Sequence, residues 1–426
     1  MTRATYQPLE AATTATGEGQ PSAASVALVA RQPIYGAALT VVAYQLLYQE
    51  PAGGFAPALR GARDATLKVV ADAALEIGLD RLAGGLPVHV HYPRELLAAQ
   101  SPLSVHPERV VIEWVEDLPC GPEIFEGLRT LRARGHRIAL DDYAPRLNDP
   151  ALLDVVDIVK VDVSQHAHSK LERFVPPLAR RGLTLIAETV ETVEQFEYAA
   201  QLGFTGFQGD FLHRAETFKV QRMPSSRLST LRIISALQNE QYSIREVEQL
   251  VSQDLSLSYR VLRCINSSFY NLPRKVESIR QAIVILGLDN LRQLATLASM
   301  QELENRPVSL FVTAISRARM CEQLARLAGV KETGQYFITG LFSLLDVLTG
   351  IPMPDLLDEL PLAPAVAQAL VAQEGDVGAA LKCARAYERA SWGRVSYNGL
   401  EPALIRAAYV DAVFWAEETQ ALTARS

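Results

Sequence analysis

Up to about Met223, short runs of β-branched and apolar residues alternate with stretches whose apolar positions recur at helical spacing. Val26–Pro33 and Leu39–Tyr48 read as a pair of strands around a Tyr35-Gly36 turn. Further strands are expected at Pro87–His91, Val110–Val115, Arg137–Leu140, Ile158–Val161, Thr184–Ala187 and Gly206–Gln208. The helical pattern fills the gaps at Asp64–Ile77, Pro122–Arg134, Lys170–Arg181 and Val193–Leu202. Such repetition implies right-handed βαβ units and a mainly parallel sheet. With about eight strands a closed α/β TIM-like (β/α)8 barrel is the economical solution, and an open doubly wound sheet shares the same local pattern.

Beyond Met223 the strand signal stops, and an all-α region of about 200 residues follows. Ser243-Ile244-Arg245-Glu246 is a capping box. Ser278–Leu286 forms a helix stopped by Gly287, and Asp289 is placed to cap the next one. Helices continue through Val312–Leu327, Pro364–Gln373, Val377–Arg389 and Pro402–Glu418. The expected domains are therefore a flexible tail at 1–24, rich in small and polar residues, a barrel at 25–220 and a helical domain at 221–426.

Composition narrows the function. The net charge of −7 and the lack of any long Lys/Arg run argue against nucleic-acid binding. No apolar stretch approaches a membrane span, and no basic-then-apolar leader is present, so the expected location is cytoplasmic, with no membrane partner. Four scattered cysteines without a CxxC pair suit free buried thiols.

Acidic and amide side chains fall where the expected strands end: Glu113 with Glu116, Asp141-Asp142, Lys160 with Asp162, Glu188 with Glu191, and Gln208. A barrel brings all its strand ends to one face, where clustered carboxylates suit divalent-metal phosphodiester hydrolysis. Taken singly, each is equally at home as a helix cap in a βα loop.

The ordered blocks Arg31-Gln32-Pro33-Ile34, Val111-Ile112-Glu113-Trp114-Val115-Glu116, Ile138-Ala139-Leu140-Asp141-Asp142-Tyr143, Val159-Lys160-Val161-Asp162, Ile186-Ala187-Glu188-Thr189-Val190-Glu191 and Phe207-Gln208-Gly209 together resemble the EAL domain, the cyclic-di-GMP phosphodiesterase barrel. The resemblance implies that Glu113, Asp141, Asp142, Lys160, Glu188, Glu191 and Gln208 occupy positions that bind metals or organise the attacking water in active members.

It also exposes departures. Gln45-Leu46-Leu47 stands where the family has Glu-Ala-Leu, so a neutral amide replaces a metal-ligating carboxylate. Gln49 stands where the family has a phosphate-binding Arg, and His91 where it has an Asn ligand. Ala144-Pro145-Arg146-Leu147 replaces a mobile Gly/Ser-rich loop. The expectation is a vestigial site with no metal and no cofactor. Alternatives are a cyclic-di-GMP receptor without hydrolysis, holding the nucleotide through Leu46, Glu188 and Gln208, a residual phosphodiesterase, and a changed-metal enzyme using His91 with Glu113 and Asp141.

In the helical half, Asp254–Ser258, Val261-Leu262-Arg263, Ile265–Tyr270, Ser278–Ile283 and Leu286-Gly287 resemble the HDOD domain, a relative of HD phosphohydrolases. All seven histidines lie at or before His213, which excludes His-ligated metal chemistry beyond it. Asn266-Ser267-Ser268 reads either as a helix end bonded to its own backbone or as the polar rim of a partner groove. Tyr387, Trp392 and Trp415 read as packing residues. The resemblances imply a regulator without catalysis that recognises other signalling proteins through its helical domain, with a homodimer conceivable because such barrels pair through surface helices.

Overall fold

The computed structural model describes residues 28–49, 79–92, 94–98, 106–115, 121–145, 151–212, 242–266, 276–300, 307–360 and 362–423, with parts of 230–237. The expected tail, the Asp64–Ile77 helix, Glu116, the Gln49 side chain, Arg146-Leu147, Ser267–Tyr270 and the domain junction near 220 lie outside these residues.

Eight strands close a barrel in sequence order. They are β1 (Leu28–Gly36), β2 (Val41–Gln49), β3 (Val88–His91), β4 (Val110–Val115), β5 (Arg137–Asp141), β6 (Ile158–Asp162), β7 (Thr184–Glu188) and β8 (Gly206–Phe207). β1 runs antiparallel to both its neighbours, and every other pair is parallel. The expected barrel forms, with β1 extending later than expected, through Gly36.

Period-2 alternation sorts the strand residues. Ile34, Ala43, Val111, Ala139, Ile158 and Ile186 form one apolar cluster inside the barrel. Their strand neighbours Val110, Ile112, Ile138, Leu140, Val159 and Leu185 turn outward and pack with Leu128, Leu131, Leu171 and Leu178. Those leucines belong to α3 (Pro122–Ala133) and α4 (His168–Arg180), which follow the short helices α1 (Leu79–Ala83) and α2 (Arg94–Ala98). Thr192 caps α5 (Val193–Leu202) by accepting from the Gln195 N–H, and Gly203, at φ 110, ends it. Two steps along the strands from the inner apolar layer, the inward positions become polar.

The helical region begins, after the parts of 230–237, with α6 (Ile244–Gln253), α7 (Leu255–Ile265), α8 (Ile279–Leu286) and α9 (Leu288–Met300). The capping box at Ser243 and Glu246 is present. Asp289 is not the cap. The Gly287 carbonyl already accepts from the Leu291 N–H at 3.2 Å, so Asp289 falls in the first turn. Asn266 bonds the Leu262 and Val276 carbonyls and the Val276 N–H, in keeping with its backbone-binding reading.

Helices α10 (Val308–Leu327), α11 (Gly334–Phe342), α12 (Leu345–Thr349), α13 (Met353–Glu359), α14 (Pro364–Ala372), α15 (Gly375–Glu388) and α16 (Pro402–Thr423) complete the chain. Buried Cys321 and Cys383 sit in their shared core, where burial pushes the Cys383 thiol up to about 12. Tyr387 stacks on Tyr409 at 4.4 Å and meets Trp392 edge-on at 5.3 Å, while Trp415 meets Phe337 edge-on at 6.2 Å, so all three aromatics pack. Among the described residues no helix is long and apolar enough to cross a membrane.

The β1–β2 hairpin has no crossover helix of its own, and the last helices cover it. Leu28 and Ala30 are buried with Tyr387, Tyr409 and Val413. The Tyr387 hydroxyl donates to the Val29 carbonyl at 3.2 Å. Arg31, 8% exposed, donates to Glu417 at 2.7 Å and to the Leu82 carbonyl, while its guanidinium lies 4.1 Å from the Tyr44 ring centre.

Gly340 marks the tightest approach of α11 to α10. A Cβ there would lie 2.5 Å from the Arg317 carbonyl oxygen and 2.6 Å from the Ala318 Cα, both backbone atoms that cannot swing aside. Gly340→Ala is expected to lower stability by about 1–3 kcal/mol, read as a lower urea midpoint. An unchanged midpoint would mean that the helices do not cross this closely.

Candidate functional site

The inward positions above the apolar layer supply one polar side chain from nearly every strand: Gln32, Gln45, His89, Glu113, Asp141, Lys160, Glu188 and Gln208. At their centre Glu113 is completely buried. It accepts from Gln45 Nε2 at 2.7 Å, contacts His89 Nδ1 at 2.9 Å and pairs with Lys160 Nζ at 2.8 Å. The Lys160 ammonium, also fully buried, reaches Glu188 at 2.6 Å and Asp141 at 3.4 Å. One cation is shared by three carboxylates.

Burial alone would raise the Glu113 carboxyl, but Lys160 and His89 outweigh it and hold the group well below the usual carboxylate range. Burial likewise would strip the proton from Lys160, and the carboxylates reverse that. For Glu188 burial wins. Its carboxyl is pushed well up, with Lys160 opposing the rise and Asp141 adding to it. Asp142 is raised by burial and by the negative charge of Asp141 and Asp162.

The amides are ordered by the same centre. An ionised Glu113 only accepts, so Gln45 turns its NH2 toward it and its carbonyl toward Gln208. Gln208 then donates to that carbonyl and, at 2.8 Å, to Gln32 Oε1. Backbone geometry tightens around the β7 end. Thr189 is held at φ 55, and Asp142 at φ 51, a region that L side chains rarely adopt. The Val190 N–H donates to the Gln208 carbonyl at 3.1 Å, and a side chain at Gly209 would collide with the Val190 backbone.

The structure thus brings Gln45, Glu113, Asp141, Lys160, Glu188 and Gln208 into one bonded group. Asp142 and Glu191 line the space above it. Two expectations need correction. Leu46 is not at the site. Next to Gln45 on the strand, it faces the other way and is buried in the shell with Tyr44 and Val90. The imidazole that touches Glu113 belongs to His89, one inward position before His91, because Gln45 and His89 share a level in the β2–β3 register. Gln32 and His89 were missed although strand parity places them beside residues already singled out.

The metal that the EAL resemblance implies would need anionic oxygens converging on a common point. Here Gln45 points N–H groups inward, and Glu113, Asp141 and Glu188 turn onto an ammonium. Among the described residues no group of three or more His, Cys, Asp or Glu side chains is placed to hold a metal ion. The residues as arranged do not fit one.

Above the layer a cavity of about 720 Å3 opens, walled by the barrel mouth on one side and by α10, α15 and α16 on the other. Arg389, just past α15, pairs across it with Asp210 at 2.9 Å.

The EAL domain family matches residues 89–215, and the HDOD domain family matches residues 223–353. Uncharacterized protein YuxH of Bacillus subtilis is 32% identical over 398 residues, covering 91% of this chain and 97% of YuxH. Cyclic di-GMP phosphodiesterase CdgJ of Vibrio cholerae is 30% identical over 402 residues, covering 92% and 93%. Among solved structures, Klebsiella pneumoniae BlrP1 in its calcium/cyclic-di-GMP complex is 23% identical with a TM-score of 0.38, and the likeness covers 44% of this chain and 55% of that one.

Lys160→Met would leave three buried carboxylates without their shared cation. It is expected to cost about 3–5 kcal/mol near neutral pH. Because Lys160 lowers the Glu113 pKa, its contribution is present above the unfolded value of 4.5 and is lost as pH falls below it. Urea unfolding should therefore show a deficit near pH 7 that shrinks toward about pH 4. A deficit independent of pH would contradict the ion-pair account.

Proposed function

Because the chain belongs to the family that joins an EAL domain to an HDOD domain, we propose that it is a signalling protein whose barrel, spanning 25–220, does not hydrolyse cyclic-di-GMP and whose helical domain, spanning 221–426, recognises another signalling protein. One observation carries the first half. The charge that an active site would lend to metal ions is spent on Lys160, with the Gln45 amide completing the shell around Glu113. Hard divalent cations depend on anionic oxygen for affinity, and an amide at position 45 offers at most a neutral carbonyl. Pro145 adds to this, since a proline in the loop after Asp142 fixes its own φ and removes an amide N–H.

The second half is supported by the region matched to the HDOD domain. Its helices turn several apolar side chains to water: Val284 is 80% exposed on α8, Tyr259 64% on α7 and Ile244 53% on α6. Exposed apolar surface of this kind is what a partner protein would cover. With no histidine in this region, a His-ligated metal centre has no ligands there.

A second reading is favoured by the relative CdgJ, which carries the name of a cyclic-di-GMP phosphodiesterase and aligns along nearly the whole chain. In that reading the barrel retains turnover, or holds the nucleotide uncut through Glu188 and Gln208. One measurement separates the readings. Purified full-length protein is incubated with cyclic-di-GMP and magnesium or manganese, and the linear product is quantified. No linearisation above the enzyme-free control is expected. Linearisation abolished by Asp141→Asn would overturn the proposal, and saturable binding without product would favour the receptor form.

A further inference from the structure

We propose that the cavity between the barrel mouth and the helical region binds a small organic cation, an amine or guanidine on a short carbon chain. This rests on the reading that the polar layer holds no metal.

Charge is the first observation. Asp141, Asp142, Asp162 and Glu188 open on the cavity, and the one ammonium beneath them, Lys160, is already shared with buried Glu113. The helical side brings arginines, but each has its acid. Arg317 pairs with Glu388 at 2.7 Å, Arg389 with Asp210 at 2.9 Å, and Arg31 with Glu417 at 2.7 Å. Among the described residues neither Asp142 nor Asp162 has a Lys or Arg at ion-pair distance. The cavity is left with surplus negative charge, facing a low-dielectric wall that strengthens its field.

The second observation is an orphaned acceptor. Gln208 is 3% exposed, and both its donated bonds go to the carbonyl oxygens of Gln32 and Gln45. Its orientation is not free to reverse, because Glu113 fixes Gln45 and Gln45 fixes Gln208. Gln208 Oε1 is therefore left buried, without a hydrogen-bond partner, on the cavity wall. A buried carbonyl without a donor is costly, and a ligand N–H would satisfy it. Metal-free, the same surroundings repel a phosphate.

The third observation is the opposite wall. Val308 and Val312, one helical turn apart on α10, and Val413 on α16 line it. They offer apolar surface to a carbon chain whose charged end lies against the barrel. A cavity of about 720 Å3 is ample for such a molecule.

The test is calorimetric titration of the full-length protein, in chelator, with agmatine as the cationic probe and butane-1,4-diol as its neutral counterpart. Agmatine is expected to bind saturably, more weakly as salt rises, and the diol not at all. Thr313→Lys places a competing ammonium on the helical wall, away from the polar layer. With the fold checked by its thermal midpoint, it should weaken agmatine binding by at least about tenfold. Binding of agmatine unaffected by Thr313→Lys would overturn the proposal. So would its absence up to about 10 mM. If magnesium displaced agmatine and cyclic-di-GMP were cut, the metal-free reading would fall and this proposal with it. Failure of agmatine alone, with hydrolysis still absent, would overturn only the cation site.

Discussion

The barrel is organised around one buried ammonium. Lys160 has no exposure to water, and its only compensation is the set of carboxylates contributed by β4, β5 and β7. Removing a lysine head group from water costs several kcal/mol, of the order that only close, multiple ion pairs offset. Those pairs require three strands to hold their relative positions, so register and charge constrain each other. A slip of one residue in β6 would exchange Lys160 for an apolar neighbour and leave the carboxylates facing one another without a cation.

From that pair the hydrogen bonding spreads in a fixed direction. Glu113, kept ionised, accepts only. Gln45 must therefore donate to it, and Gln208 must donate to Gln45. In the signature position a carboxylate would reverse this logic, repelling Glu113 unless a cation came between them. The amide removes the repulsion and with it the requirement for the cation. The same substitution that weakens a metal site makes a metal-free layer self-consistent, which is why the two effects cannot be separated in this barrel.

Much of this was legible in the residues. The strand runs, the capping box at Ser243 and the polar strand ends were readable because each depends on local periodicity or spacing. Parity also held the answer for His89 and Gln32, since each lies two positions from a residue already assigned to the interior. What sequence could not show was direction and company. Leu46 sits beside Gln45 in the chain but across the sheet from it in space. Asp289 looks like a cap until Gly287 is seen to take that place. Above all, nothing in the spacing of Arg31, Tyr387, Tyr409 or Glu417 announces that residues separated by more than 350 positions meet at the hairpin.

That meeting changes what the barrel mouth is. In an isolated barrel the strand ends would face solvent, where water screens charge and satisfies any spare carbonyl. Here α10, α15 and α16 stand over them, so the surplus charge of Asp142 and Asp162 and the unpaired oxygen of Gln208 face a partly enclosed space. Whatever enters must touch both halves of the chain at once. A molecule held there would stabilise the arrangement in which Arg31 grips Glu417 and Arg389 grips Asp210, by the free energy of its preference for that arrangement over an open one. The barrel could in this way influence the helical half without performing any chemistry, since the two share a wall.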